Sequence, residues 1–114
     1  MKTIFCDIDG TLLEHHGDVV KQLKSDPVVL DGCMDKLVEW DRKGYTIILT
    51  TGRRESMRTA TEKQLNSIGI FYDQLVMGIG SGPRYLINDS KSNGDETAYA
   101  IQTQRNEGIK NVEI

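Results

Sequence analysis

The stretch Lys2-Thr3-Ile4-Phe5-Cys6-Asp7-Ile8-Asp9-Gly10-Thr11 decides how the rest of the chain is read. It begins as an apolar run of β type and ends in two carboxylates on alternate positions. Alternate side chains of a strand share a face, so Asp7 and Asp9 start on the same side. Gly10 lets the backbone turn away directly behind them. Two acids at the end of a buried strand are costly unless a cation or a proton sits between them. The plain alternative is a strand running into a polar Asp-Gly turn, and the remainder of the chain weighs between the two.

Beyond Leu13 the chain turns polar through Glu14-His15-His16-Gly17-Asp18, which reads as a solvated loop or, alternatively, as the lining of the mouth of whatever the first strand carries. Ser25-Asp26-Pro27 is a turn signal. Asp31 reads as the N-cap of a helix through Lys43, with Met34, Leu37, Val38 and Trp40 as its apolar stripe and Gly44 as its stop. Tyr45-Thr46-Ile47-Ile48-Leu49 is a short, β-rich run suited to a buried parallel strand, and it ends in Thr50-Thr51-Gly52-Arg53. A second helix is expected over 54–68, with Met57, Ala60, Leu65 and Ile68 inward. A third strand is expected at Gln74-Leu75-Val76-Met77, a fourth at Arg84-Tyr85-Leu86-Ile87 ending in Asn88-Asp89, and a fifth near Ala98–Ile101. The tail from Gln104 to Ile114 is polar with little pattern.

Strands alternating with helices predict an α/β fold, a Rossmann-like, mostly parallel sheet with helices on both faces. In such sheets ligands bind beyond the carboxyl ends of the strands. Three polar clusters fall there: Asp7/Asp9, Thr50/Thr51 and Asn88/Asp89.

The composition fits this picture. The chain of 114 residues is expected to form a single domain, residues 1–114, and a hydrophobic content of 38% with 27% charged residues describes a globular protein rather than a disordered one. A net charge of −3 gives no electrostatic reason to expect nucleic-acid or membrane partners. No apolar run approaches a membrane span, and Asp7 and Asp9 interrupt the one N-terminal stretch a signal peptide would need. Two cysteines, Cys6 and Cys33, make neither a disulfide framework nor a metal spacing. A cytoplasmic protein is the expectation.

Asp7-Ile8-Asp9-Gly10-Thr11 resembles the first motif of the haloacid dehalogenase (HAD) superfamily, D-x-D-G-T/V, whose members with both aspartates are mostly magnesium-dependent phosphatases. Ile47 to Arg53 resembles the second motif, in which a hydroxyl at the strand end holds a phosphate oxygen. The resemblance puts that role on Thr51, with Thr50 as runner-up and Gly52 beside them. Arg53 stands where a planar fork could grip a substrate anion, or where a solvated arginine could start a helix. Arg84 to Lys91 resembles the fourth motif, with Asp89 as metal ligand and Asn88 offering a carbonyl oxygen or filling the usual glycine position; Asp95 is a weaker candidate. The third-motif cation falls on Arg84 or Lys91, with Arg84 favoured. Gly78-Ile79-Gly80-Ser81-Gly82-Pro83 fails as a dinucleotide fingerprint and reads as a connection.

The spacing between motifs leaves no room for a separate cap domain. The resemblance therefore implies a capless Mg²⁺-dependent phosphomonoester hydrolase. Asp7 would attack phosphorus and Asp9 would move the proton, and Mg²⁺ would rest on Asp7, the backbone carbonyl of Asp9 and Asp89. Small HAD hydrolases linked to phosphosugar and surface-glycan metabolism share this look, so a small phosphorylated metabolite is the expected partner. A phosphotransferase with the same aspartyl-phosphate intermediate and a non-catalytic binding module are the alternatives. An uncapped site needs cover, so a homo-oligomer is expected too.

Overall fold

β1 (Thr3–Asp7) is the strand that carries the paired acids to their place, and it ends at the first of them. The computed structural model describes all 114 residues. After β1 come α1 (Val19–Lys24), α2 (Cys33–Arg42), β2 (Thr46–Thr50), a 3-10 turn at Glu55–Met57, α3 (Arg58–Ser67) and β3 (Gln74–Val76). The three strands are parallel in the order β1-β2-β3. In register Asp7 lies beside Thr50, and Thr50 beside Val76, so three strand ends meet along one line.

The α/β architecture with a parallel sheet is the one the alternation of patterns predicts. Its layering differs in one respect. Right-handed crossovers that step twice in the same direction bring their helices to the same face of a sheet. The core agrees with that rule. Ile4, Cys6, Ile47, Leu49 and Leu75 share one side chain parity and are buried in one cluster with Leu37 and Trp40 of α2 and Leu65 of α3. On the opposite face Phe5 is 58% exposed. The expectation of helices on both faces is therefore met on one, because no strand reverses the order of the sheet.

Helix boundaries shift for local reasons. α2 starts at Cys33 behind Gly32, which takes a left-handed φ of 75°. Asp31 instead pairs with Lys110, at 3.2 Å. Within α3 it is Thr61 that is buried, while Ala60 faces solvent. α1, too short to read from sequence, is capped by Asp18, whose Oδ1 accepts from the Lys21 amide at 2.9 Å.

The expected fourth and fifth strands, at Arg84–Ile87 and Ala98–Ile101, do not form. Tyr85 is 89% exposed and Ile87 is 93% exposed. The bonds found here belong to the turn between the two runs: the Asn88 side chain donates to Thr97 Oγ1 at 2.8 Å and the Lys91 amide to the Asp95 carbonyl at 3.0 Å. Local side chain and backbone bonds of this kind compete with a sheet ladder. The tail, by contrast, is anchored. Ile109 is buried in the main core, and Gly108 lies so close to Asp31 that a Cβ there would meet its carbonyl oxygen at 2.8 Å. No helix is long and apolar enough to cross a membrane.

Ile109→Ala tests the anchoring. A buried isoleucine truncated to alanine costs about 2–5 kcal/mol, so urea melts should show a loss in that range. A loss within the scatter of a surface substitution would mean the tail does not dock.

Candidate active site

The turn after β1 is drawn tight around one carbonyl. Ile8 O accepts from the amides of Thr11, Leu12 and Leu13 at 3.1, 2.8 and 3.0 Å, and Gly10 takes a φ of +90° that a side chain would oppose. Ile8, fully buried, points into the core, so Asp7 and Asp9 are left facing outward. They line one polar cleft of about 180 Å³ together with Gly10, Thr11, Thr103 and Arg105.

Arg53 holds the second of these acids. Its side chain is 1% exposed, and its fork is bidentate on Asp9, Nε to Oδ2 at 2.8 Å and Nη2 to Oδ1 at 2.7 Å. Nη1 donates to Gln64 Oε1 at 2.8 Å and to Thr61 Oγ1 at 3.3 Å, both on α3. The sequence left Arg53 either gripping a substrate or solvated; it does neither. A buried guanidinium needs partners for its donors, and Asp9, Thr61 and Gln64 supply them.

Asp7 has a different environment. Burial pushes its carboxyl above the usual carboxylate range. The Ile8 amide, the Arg84 guanidinium and the Thr11 hydroxyl act against that, while the neighbouring charge of Asp9 adds to it. Thr11 Oγ1 donates to Asp7 Oδ2 at 3.3 Å. Of the two cations weighed for the third motif, Arg84 is the one whose charge reaches Asp7. Lys91 sits on the exposed turn after Asp89.

The register distinguishes the two threonines of β2. Thr50 lies beside Asp7 on the same face of the sheet. Thr51 is buried, and its hydroxyl accepts from the Arg53 amide at 3.1 Å. Gly52 is a point of close approach, since a Cβ there would meet Gly80 O at 2.7 Å. The glycine-rich connection closes over it through Gly78 N to Arg53 O at 2.7 Å and Ile79 N to Thr51 O at 3.3 Å.

The acids of the fourth motif are not brought here. Asp89 and Asn88 are exposed on the segment after β3, and the Thr97 hydroxyl donates to the Asp89 carbonyl. Asp95 bonds within the same turn, its amide to Asn93 Oδ1 at 3.0 Å. No three His, Cys, Asp or Glu residues gather anywhere in the chain. The cleft's side chain oxygens, from Asp7, Asp9, Thr11 and Thr103, suit a hard cation in kind. In number they fall short of a closed cage. Mg²⁺, however, is commonly held by one or two carboxylates, with waters and substrate phosphates completing its shell. Asp7 meets that lesser requirement.

Sequence reading missed the polar floor of the site and its far wall. Thr61 and Gln64 follow Arg53 at spacings that put them on the first turns of α3, but polar helix residues usually face water. Thr103 and Arg105 sit in a tail without periodicity. What fixes them is Asn106, whose amide donates to Gly10 O at 2.8 Å and whose Oδ1 accepts from the His15 amide at 2.7 Å.

Against known proteins, the PITM 1-3 LNS2 domain family matches residues 4–94. The chain belongs to this LNS2 family and, with it, to the HAD superfamily. No curated protein matches. Among solved structures, one chain in a Pnkp1/Rnl/Hen1 complex is 30% identical with a TM-score of 0.59, covering 74% of this chain and 30% of its own length. The chain thus spans under a third of that relative. A structural-genomics target from Vibrio cholerae is 19% identical at a TM-score of 0.55, covering 77% and 80% of the two chains. A D,D-heptose 1,7-bisphosphate phosphatase from B. bronchiseptica, complexed with magnesium and phosphate, is 18% identical at 0.50, covering 71% and 51%. At those identities the last two establish likeness of fold.

Two measurements probe the carboxylates. Arg53→Met removes one partner of a buried pair, which costs roughly 3–5 kcal/mol because the other charge is left behind. Chemical melts should show that loss, whereas a change under about 1 kcal/mol, the range of an exposed pair, would contradict the buried pairing. Asp7 titrates above its ordinary value in the fold. Its contribution to stability is therefore complete below the unfolded pKa and lost as pH rises through the folded one. Asp7→Asn should accordingly melt higher than the parent at pH 7, with the difference vanishing below about pH 4. Equal melting at pH 7 would argue that burial does not strain this carboxyl.

Proposed function

We propose that the protein is a phosphomonoester hydrolase that works through an aspartyl-phosphate on Asp7, acting on a small phosphorylated compound. The observation that carries this reading is the division of labour between the acids: Asp9 is pinned by a buried guanidinium, while Asp7 faces a polar cleft. A nucleophile must be free to approach phosphorus in line, and a proton carrier must be held still.

In the first step an Asp7 oxygen bonds to phosphorus, the bond to the leaving oxygen breaks, and Asp9 gives that oxygen a proton. In the second, water attacks the acyl phosphate, Asp9 takes the proton, and Asp7 is released with inorganic phosphate. Arg53 occupies one lone pair on each Asp9 oxygen. Each carboxylate oxygen can accept a further bond, and proton transfer uses that position. Thr11 steadies the Asp7 oxygen to which it donates. Thr50, beside Asp7, offers a hydroxyl to the phosphate, and Arg84 offsets charge. Asp7 is the residue that would hold Mg²⁺, which would supply positive charge to offset that of the nucleophile and the phosphate. Phosphorylated sugars are the first substrate class to try. Buried, unpaired Cys6 and Cys33, each with its thiol pushed up to about 12 by burial, suit a reducing compartment such as the cytoplasm.

A second reading is a phosphate-binding module without turnover. The exposed position of Asp89 favours it, since one expected metal ligand is then missing from the cleft.

Phosphate release from p-nitrophenyl phosphate with Mg²⁺ separates the two. Turnover by the parent is expected, with Asp7→Asn several orders of magnitude slower and Asp9→Asn slower by about 10²–10⁴-fold. Asp89→Ala should turn over near the parent rate. Undiminished release by Asp7→Asn would remove the nucleophile from the scheme, and no release by the parent on a broad panel of phosphate esters would leave the binding module.

A further inference from the structure

The cleft at Asp7 has a wall that comes from far along the chain. Thr103 and Arg105 line it, and both lie beyond residue 94, where the LNS2 match ends. Nothing about the first or second motif calls for them. The wall is nonetheless built in detail. Asn106 takes a left-handed φ of 66°, the one non-glycine residue in the chain with a positive φ. That conformation is uncommon outside glycine and is most tolerated by asparagine and aspartate. It lets Asn106 bond both ways, amide to Gly10 O and Oδ1 to the His15 amide, at two points along the chain that follows the acids. Arg105 then lies against Gly10 so closely that a Cβ on that glycine would come within 3.3 Å of Arg105 Cγ. Ile109, buried in the main core, holds the segment from its other end.

The charges give this wall its chemistry. Asp7 and Asp9 would repel an incoming anion. The Arg53 charge is bound up in Asp9, and its guanidinium does not line the cleft. Arg105 is the one cationic side chain lining the cleft, and it takes part in none of the chain's ion pairs. A guanidinium beside a hydroxyl, Arg105 beside Thr103, is a donor set suited to phosphate oxygens. We infer that the tail segment 103–106 is a functional wall of the site, and that Arg105, assisted by Thr103, binds the phosphate group of substrate and product opposite the Asp7 carboxylate. The inference rests on the phosphatase reading for the word substrate, but phosphate binding itself does not require turnover.

The probe is therefore inorganic phosphate, titrated by calorimetry into the full chain, with p-nitrophenyl phosphate turnover measured in parallel. Arg105→Gln should weaken phosphate binding about tenfold or more, the effect of one charge-assisted hydrogen bond. Arg105→Lys should fall between the two, because it keeps the charge and loses the fork. Lys110→Gln, whose side chain pairs with Asp31 on the outside of the tail, should bind phosphate like the parent and controls for loosening of the segment. In turnover Arg105→Gln should raise KM by a similar factor, and the parent's affinity for phosphate should fall with added salt. If Arg105→Gln, folded by circular dichroism, binds phosphate as the parent does, or if the parent binds no phosphate, the inference is overturned. If phosphate binds through Arg105 and the parent hydrolyses nothing, the inference stands and the hydrolase reading fails. If turnover proceeds with Arg105→Gln unchanged in KM and phosphate affinity, the hydrolase reading stands and the inference fails.

Discussion

A single buried ion pair, Asp9 with Arg53, links almost every part of the structure that bears on function. Arg53 cannot stay in the interior unless each face of its fork finds an acceptor, so α3 must present Thr61 and Gln64, and the turn after β1 must present Asp9. Gln64 in turn donates to the carbonyl of Gln22 at 3.1 Å. The buried side chain of Gln22 ties down the loop after the acids, donating to Glu14 O at 2.8 Å and accepting from the His16 amide at 2.7 Å. The pair thereby fixes the relative positions of the first turn, the end of β2, α3 and α1. Replacing the pair with apolar groups of like volume is often neutral or stabilising elsewhere, so its presence here is best explained by what it positions.

The consequence for chemistry is an asymmetry between two acids that start on one face of one strand. Asp9 faces the cleft with both oxygens held by a guanidinium, and Asp7 faces it with no ion pair and a long bond from the Thr11 hydroxyl. Burial works against the Asp7 charge while Arg84 works for it, which leaves a carboxylate that gains from meeting an electrophile or a cation. The remaining cation, Arg105, arrives on the tail. A site whose positive charges come from the turn after β2, from the segment after β3 and from the tail is assembled only when the whole chain has folded.

The parts legible in the sequence were those with local cause. The alternation of Asp7 and Asp9 at the end of an apolar run, and Thr50-Thr51-Gly52-Arg53 at the end of another, located two of the three strand ends that lie side by side in the sheet. Gly44 stops its helix with a left-handed φ, as glycine permits. Arg84–Ile87 was misread because an apolar, β-prone run states a preference, whereas pairing is a long-range event. Here Arg84–Ile87 pairs with no strand, and the bonds just beyond it lie within the turn at 88–97. The role of Arg53 was hidden for the same reason: its partners Asp9 and Gln64 lie 44 and 11 positions away. Ile109 and Arg105 were invisible because a lone apolar residue and a lone cation in a polar tail carry no period to detect.

The central claim is that Asp7, and not Asp9, takes the phosphoryl group. Borohydride reduces an acyl phosphate to an alcohol, so an aspartyl-phosphate trapped during turnover becomes homoserine at the position that carried it. Peptide mass mapping of the protein quenched with borohydride in the presence of Mg²⁺ and a turned-over phosphate ester reads that position directly. The expected result is homoserine at residue 7 with Asp9 intact. Modification at residue 9, or steady phosphate release with neither residue modified, would contradict the claim.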